Sequence, residues 1–185
     1  DSAATAQKPR VVIDAIAQLL GEPAVLFKDK VNYKYPGGGS FVAHQDAAAY
    51  QPFGTLHITA LVAVDPNTVE NGCLWFAPGE HRDGLLAVND TGCLPTELEQ
   101  RMSWIDAPLA PGGVLFFTSF TPHKSPANRS TSSRRSLYVT YCKASEGDLR
   151  DAYYEDRKQA MENQAANSDG SRISRIGHFQ GETID

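Results

Sequence analysis

The sequence predicts a mainly β fold, a double-stranded β-helix (jelly roll) with flanking helices. Three observations carry this. Several short runs are apolar or alternating, Gly- and Pro-rich turns separate them, and little helical pattern lies between them. Together they exclude an alternating α/β sheet. At 185 residues the chain fits one domain, 1–185, with a core at about 24–142 and flanking helices at 8–20 and 146–163. Such a domain buries roughly two thirds of the surface its unfolded chain exposes.

Val11 to Leu20 places Val12, Ala15, Ile16 and Leu19 on one helical stripe, and Gly21 and Pro23 stop the helix. Ala24 to Tyr35 reads as a strand in which Lys28, Lys30, Asn32 and Lys34 share one face and Phe27, Val31, Tyr33 and Tyr35 the other. Either the lysine face meets solvent and the aromatic face the core, or the lysine face lines a pocket. Pro36 to Ser40 forms a loop, because three consecutive glycines are costly in any regular element. No GK[ST] and no helix pattern follow, so this is not a phosphate loop. After Ala47 to Phe53, with Tyr50 and Phe53 as pocket walls, Thr55 to Val64 is apolar and β-branched enough for a buried strand. Asp65 to Gly72 turns into a short strand at Cys73 to Ala77, and Glu80 to Val88 is a loop. Leu94 to Met102 favours a turn or two of helix. Pro111-Gly112-Gly113 launches a strand at Val114 to Phe117, and Ser136 to Cys142 is the last strand. Glu146 to Asn163 is helical in composition; from Gln164 onward the chain is polar, with apolar anchors at Ile173, Ile176 and Phe179.

Apolar residues make up 41% and charged residues 21% of the chain, and no run approaches the roughly 18 apolar residues of a membrane span. The formal net charge of −5 argues against a nucleic-acid surface. Basic density is local, at Lys28, Lys30 and Lys34 and at Arg134 and Arg135, which suits a small anionic ligand. Cys73, Cys93 and Cys142 are odd in number and lack CxxC spacing, so neither disulfides nor a cysteine zinc site is expected, and a cytoplasmic location is. The first residues lack signal-peptide order and an initiator Met, as expected of a processed chain or of numbering that begins inside a longer one. Oligomeric state is not encoded in any motif.

His44 and Asp46 stand two apart, so on a strand or its edge both side chains leave on the same side. With His123 as third ligand they would form the facial triad of two imidazoles and one carboxylate that holds non-haem Fe(II) with open positions. Eleven residues beyond His123 a guanidinium could clamp a carboxylate bidentately. Strand alternation allows only one of Arg134 and Arg135 to point inward, and the pattern leaves open which. His81, among Arg82, Asp83 and Gly84, reads as a loop histidine rather than a ligand.

These residues resemble the phytanoyl-CoA dioxygenase family of Fe(II)/2-oxoglutarate oxygenases, whose domain is cupin-like. The likeness rests on His44-Gln45-Asp46, Asn71-Gly72-Cys73-Leu74 leading to Pro78-Gly79-Glu80-His81, the Pro111-Gly112-Gly113 launch, and His123 with Ser125, Asn128 and Arg134. It runs from about Phe27 to Tyr141. It implies Fe(II) on His44, Asp46 and His123, and Arg134 assisted by Ser125 on the distal carboxylate of 2-oxoglutarate. By similarity to ectoine hydroxylase it adds Asn32 and Lys34 as cosubstrate contacts and Lys28 as a substrate contact. The activity implied is a dioxygenase reaction that consumes O2 and 2-oxoglutarate, releases succinate and CO2, and hydroxylates an unactivated C–H bond. The carboxylate of Asp46 points to hydroxylation rather than halogenation. Family members usually carry a longer N-terminal helical region than this chain does.

Lys28 to Lys34, followed by Pro-Gly-Gly-Gly and His-Gln-Asp-Ala, resembles the branch that hydroxylates small organophosphonates such as 2-aminoethylphosphonate. In that reading Lys28, Lys30 and Tyr50 contact a small-molecule substrate, and Tyr50, Phe53 or Asp29 would meet its amine. The alternatives are an oxygenase acting on an amino acid or a natural-product intermediate, and a metal-binding jelly roll without oxygenase activity. Neither nucleic acid nor membrane is expected as a partner.

Overall fold

A computed structural model describes residues 11–167. Two four-stranded antiparallel sheets face one another, the jelly-roll arrangement. The larger, in the order β1-β8-β3-β6, combines β1 (Ala24–Lys34), β8 (Arg134–Lys143), β3 (Ile58–Ala63) and β6 (Val114–Thr118). The smaller, in the order β2-β7-β4-β5, combines β2 (Phe41–His44), β7 (His123–Ser125), β4 (Trp75–Phe76) and β5 (Ile105–Asp106). Helices α1 (Val11–Leu20), α2 (Ala47–Tyr50), α3 (Thr96–Glu99) and α4 (Arg150–Asn167) flank them. No helix among the described residues is long and apolar enough to cross a membrane.

The core has a layer on each side of the larger sheet. Leu61, Phe117 and Tyr138 from its inner face meet Leu74 and Phe76 between the sheets. On its outer face Ile58 and Ala60 pack against Ile16 and Leu20 of α1. Strand β3 is therefore buried on both faces, which is why its sequence is continuously apolar rather than alternating. The stripe of α1 runs through Val12, Ile16 and Leu20, whereas Leu19, expected inside, is 56% exposed. The i, i+4 spacing follows the contact row on the sheet, and Leu19 lies about a quarter-turn off it.

Strand β1 settles the open question about its lysines. Beyond a bulge between Leu26 and Lys28 it pairs with β8 in unbroken register from Lys28↔Thr140 to Lys34↔Arg134. The bulge inserts Phe27 as an extra residue, so Phe27 is fully buried instead of sharing the outer face with Val31 and Tyr33. From Lys28 onward the lysine face turns inward, and Val31, Tyr33 and Tyr35 are exposed. Other bounds shift too. β3 and β4 are shorter than their apolar runs, and His123 sits in a strand of its own. α4 begins at Arg150 rather than 146, after a 3-10 turn ended by Gly147 at φ 87°. The first helix's residues 8–10 and the anchors Ile173, Ile176 and Phe179 lie outside the described residues.

Candidate metal and cosubstrate site

β2 and β7 pair so that His44 stands directly opposite His123. Their ring centroids are 4.2 Å apart. Each ring is set by its own backbone: Nδ1 of His44 donates to the Val42 carbonyl at 2.8 Å, and Nδ1 of His123 to that of Thr121 at 2.9 Å. These bonds place the lone pair of each ring on Nε2, as a metal-ligating imidazole requires. Asp46 does not continue the strand, which ends at His44. It takes α-helical angles (φ −58°, ψ −28°) at the N-cap of α2, and its carboxylate caps no backbone N–H. A turn, rather than strand alternation, therefore carries it to the histidines. Donor atoms of His44, Asp46 and His123 all lie within 4.8 Å of one another. Burial keeps both imidazoles neutral, with His44 lowered to about 3 and His123 also lowered, even though Asp46 is 4.0 Å away. Neutral imidazoles and a carboxylate are a donor set that fits a divalent transition metal.

The turn between the ligand-type residues is held by Gln45, whose role the sequence did not suggest. Its amide donates to the carbonyls of Gly84 (2.9 Å) and Phe120 (2.6 Å) and accepts from the N–H of Leu86 (2.8 Å). The only hint was a polar residue wedged between two ligand-type side chains.

Arg134 is fully buried on the inner face of β8, in line with Ser136, Tyr138 and Thr140. Its Nε and Nη1 find no hydrogen-bond partner among the described residues, although it lines the same cavity as His44, Asp46 and His123. An orphaned guanidinium is costly to bury, and a bidentate carboxylate supplies what it lacks. Arg135 points outward and forks onto Asp65 with two bonds of 2.8 Å. That pairing holds the Asp65 carboxyl at about 2.

The remaining expected residues divide. Lys28, Lys30, Asn32, Tyr50 and Ser125 line the cavity. Lys34 does not: its ammonium donates to Ser125 Oγ at 2.5 Å and to the Pro126 carbonyl, which ties the end of β1 to the loop after β7. Ser125 in turn donates its hydroxyl proton to the Gly72 carbonyl at 2.8 Å, so that proton is already used. Phe53 packs with Phe27 and Tyr153, and Asp29 lies on the outer face of β1, paired with Arg150 at 2.5 Å, so neither faces the cavity. Sequence reasoning missed Thr59 and Thr140, whose hydroxyls bond at 2.9 Å on the wall, and Tyr138, which burial raises to about 12. Inward alternation along β8 from Arg134 was the signal available for Tyr138 and Thr140. His81 is exposed and outside the cluster.

Comparison with known proteins agrees with this geometry. The chain is 48% identical over 170 residues to a methylphosphonate hydroxylase of Gimesia maris, covering 91% of this chain and 65% of that protein. It is 39% identical over 165 residues to a 2-aminoethylphosphonate dioxygenase of an uncultured bacterium, covering 89% and 63%. It therefore spans somewhat less than two thirds of these relatives' lengths. Among solved structures, the non-heme alpha-ketoglutarate-dependent epimerase SnoN of nogalamycin biosynthesis is 30% identical with a TM-score of 0.61, over 72% of this chain and 52% of that one. EctD of S. alaskensis, solved with 2-oxoglutarate and 5-hydroxyectoine, is 25% identical with a TM-score of 0.65, over 73% and 50%. The model of one family matches residues 2–136. With that match joined to the paired histidines, the adjacent carboxylate and the buried arginine, the chain belongs to the phytanoyl-CoA dioxygenase (PhyH) family.

Proposed function

We propose that this chain carries the core of an Fe(II)- and 2-oxoglutarate-dependent dioxygenase that hydroxylates an unactivated C–H bond of a small organophosphonate. The observation that carries the reading is Arg134, a buried cation with two unpartnered nitrogens on the wall shared with the His44, Asp46 and His123 cluster. A metal-binding jelly roll without oxygenase activity has no use for that guanidinium; a keto-acid cosubstrate does. His44, Asp46 and His123 would hold Fe(II), and Arg134 would take the distal carboxylate of 2-oxoglutarate. Bound together, iron and cosubstrate supply the oxidising power that activates O2 against a C–H bond.

The chain's own contribution is placement. The backbone carbonyls of Val42 and Thr121 fix the imidazoles, and the two sheets keep the site largely out of water. Asn32 lines the same cavity and would be in reach of the cosubstrate, while the bond from Lys34 to Ser125 braces the wall. Lys28 and Lys30 face the cavity from β1 and are the groups available to an anionic head. Burial makes them weaker bases, with Lys30 at about 8, so an incoming anion would offset part of the desolvation they carry. The names of the two phosphonate-acting relatives support this substrate class.

The test is anaerobic titration of the Fe(II)-loaded chain with 2-oxoglutarate, followed by the weak visible charge-transfer band of a keto-acid chelate. A band that is lost in Arg134→Ala and kept in Arg135→Ala is the expected result. Iron binding without any band would favour the non-oxygenase jelly roll.

A further inference from the structure

Resting on the phosphonate reading above, we propose that the substrate head is selected by its second negative charge. The β1 wall takes a dianionic phosphonate and holds a monoanionic sulfonate of the same shape far more weakly. In a closed site an uncompensated ion is costly, so the fixed charges set what a ligand must bring. The charged side chains on the wall are Lys28, Lys30, Lys124, Arg134 and Asp46, with His44 and His123 kept neutral by burial. Lys124 is matched by Glu99 at 2.7 Å. With Fe(II) and 2-oxoglutarate in place, the two positive charges of the metal and the one of Arg134 meet the Asp46 carboxylate and both carboxylates of the cosubstrate. Lys28 and Lys30 are then left with no counter-charge on the wall. Asp29, the one acid of β1, is on the opposite face and pairs with Arg150 at 2.5 Å.

The two ammoniums are placed to share one head. Lys28 and Lys30 stand two apart on the inward face of β1, opposite Thr140 and Tyr138, and Lys30 feels the charge of Lys28. Lys28 Nζ donates to the Tyr50 hydroxyl at 3.0 Å, which leaves two of its three N–H groups. Lys30 Nζ lies 5.2 Å from the Tyr138 ring centroid and has no hydrogen-bond or ion-pair partner among the described residues. Asn32 and the Tyr138 hydroxyl, which burial keeps protonated, lie on the same wall and can add neutral hydrogen bonds to a head oxygen. Those bonds serve a phosphonate and a sulfonate alike. The difference between the two heads therefore falls on the lysines: a dianion matches both, whereas a monoanion leaves one ammonium buried and unmatched.

Methylphosphonate and methanesulfonate make the clean comparison, because both carry a methyl group and three oxygens on a tetrahedral centre. Above neutral pH the phosphonate carries two charges, as a phosphate monoester does, and the sulfonate one. Calorimetric titration at about pH 8 of the 185-residue chain, loaded anaerobically with Fe(II) and 2-oxoglutarate, should give at least about ten-fold tighter binding of methylphosphonate, the size of one charge-assisted hydrogen bond. In Lys30→Met one ammonium remains, for which a single negative charge suffices, and the ratio should shrink to within about two-fold. Lys30→Arg keeps the charge and should keep the ratio. Unchanged 2-oxoglutarate affinity in both variants shows that fold and cosubstrate site are intact. Equal or tighter binding of methanesulfonate, or a ratio preserved in Lys30→Met, would overturn the charge selection and leave the phosphonate reading standing. If neither methylphosphonate nor 2-aminoethylphosphonate bound while 2-oxoglutarate did, the phosphonate premise would fall and the selection with it.

Discussion

Arg134 and Arg135 are adjacent, yet one is fully buried without partners for two of its nitrogens and the other is forked onto Asp65 at the surface. Removing Arg134 takes away a charge-assisted, bidentate partner worth about 1.5–3 kcal/mol. The 2-oxoglutarate dissociation constant of Arg134→Ala should accordingly rise by about 10–150-fold. Arg135→Ala breaks only an exposed, solvent-screened pair and should leave that constant unchanged; the reverse pattern would exchange their roles. Asp46→Ala should cost metal affinity by more than the about 10–100-fold that loss of an outer-sphere partner typically brings. Absorption of the Co(II)-substituted protein would read this, and retained affinity would remove Asp46 from the ligand set. The histidines add a pH dependence. Both are lowered on folding, His44 to about 3, so between about 6.5 and 3 the unfolded chain binds protons that the native one refuses. Stability of the metal-free protein is thus intact above about pH 6.5 and falls as pH drops, by up to about 1.4 kcal/mol per pH unit for each histidine. Thermal melts at pH 7.5, 6.5 and 5.5 should show this, and a flat or inverted trend would contradict the burial argument.

The β2–α2 turn depends on contacts distant in sequence. Gln45 is fully buried, and its three bonds tie the turn between His44 and Asp46 to the 84–86 loop and to Phe120. Gln45→Ala strands two carbonyls and one N–H, each costing about 1–3 kcal/mol if left unsatisfied. We expect a several-degree drop in melting temperature together with weaker Co(II) binding, and a melting loss without a metal effect would make Gln45 merely structural. Gly72 presents a similar dependence. At φ 75° it lies where a side chain is strained, and a Cβ there would come within 3.1 Å of Lys34 Nζ. Such contacts explain what was legible in the sequence and what was not. Alternation along β8 and the run of β3 are written in neighbouring residues, and so is the candidate triad once His44, Asp46 and His123 are read together. The inward turn of the β1 lysines was only half legible, because it depends on the Phe27 bulge, which no local pattern announces. Strand β5 and the separate strand at His123 were missed because two or three residues carry no period; their pairing to β4 and β2 creates them. Similarity to ectoine hydroxylase assigns Lys34 to the cosubstrate, and only the loop after β7 reveals that its ammonium is already taken.

Across the whole molecule, charge is distributed against the net value. The chain carries −5 overall, yet Lys28, Lys30 and Arg134 converge on one cavity in which Asp46 is the only acid among the described residues. Burial weakens the lysines as bases, and two nitrogens of Arg134 lack hydrogen-bond partners among the described residues. Gathering buried cations in one cavity is costly to the fold that holds them, so an anion that pairs with them should stabilise it by more than the metal alone does. Linkage sets the size: at a hundred times its dissociation constant a ligand adds about 2.7 kcal/mol. For a chain of this length that corresponds to a melting-temperature rise of about 5–10 °C. Scanning calorimetry of the Co(II)-loaded protein should show such a rise with saturating 2-oxoglutarate and a smaller one with succinate, which keeps the distal carboxylate but lacks the keto-acid end. In Arg134→Met the unliganded protein should melt no lower than the parent, because an uncompensated buried charge has been replaced by an apolar side chain of similar length. Its response to 2-oxoglutarate should nearly vanish. A variant that melted far lower and still gained the full 2-oxoglutarate shift would show that the guanidinium serves the fold rather than the ligand.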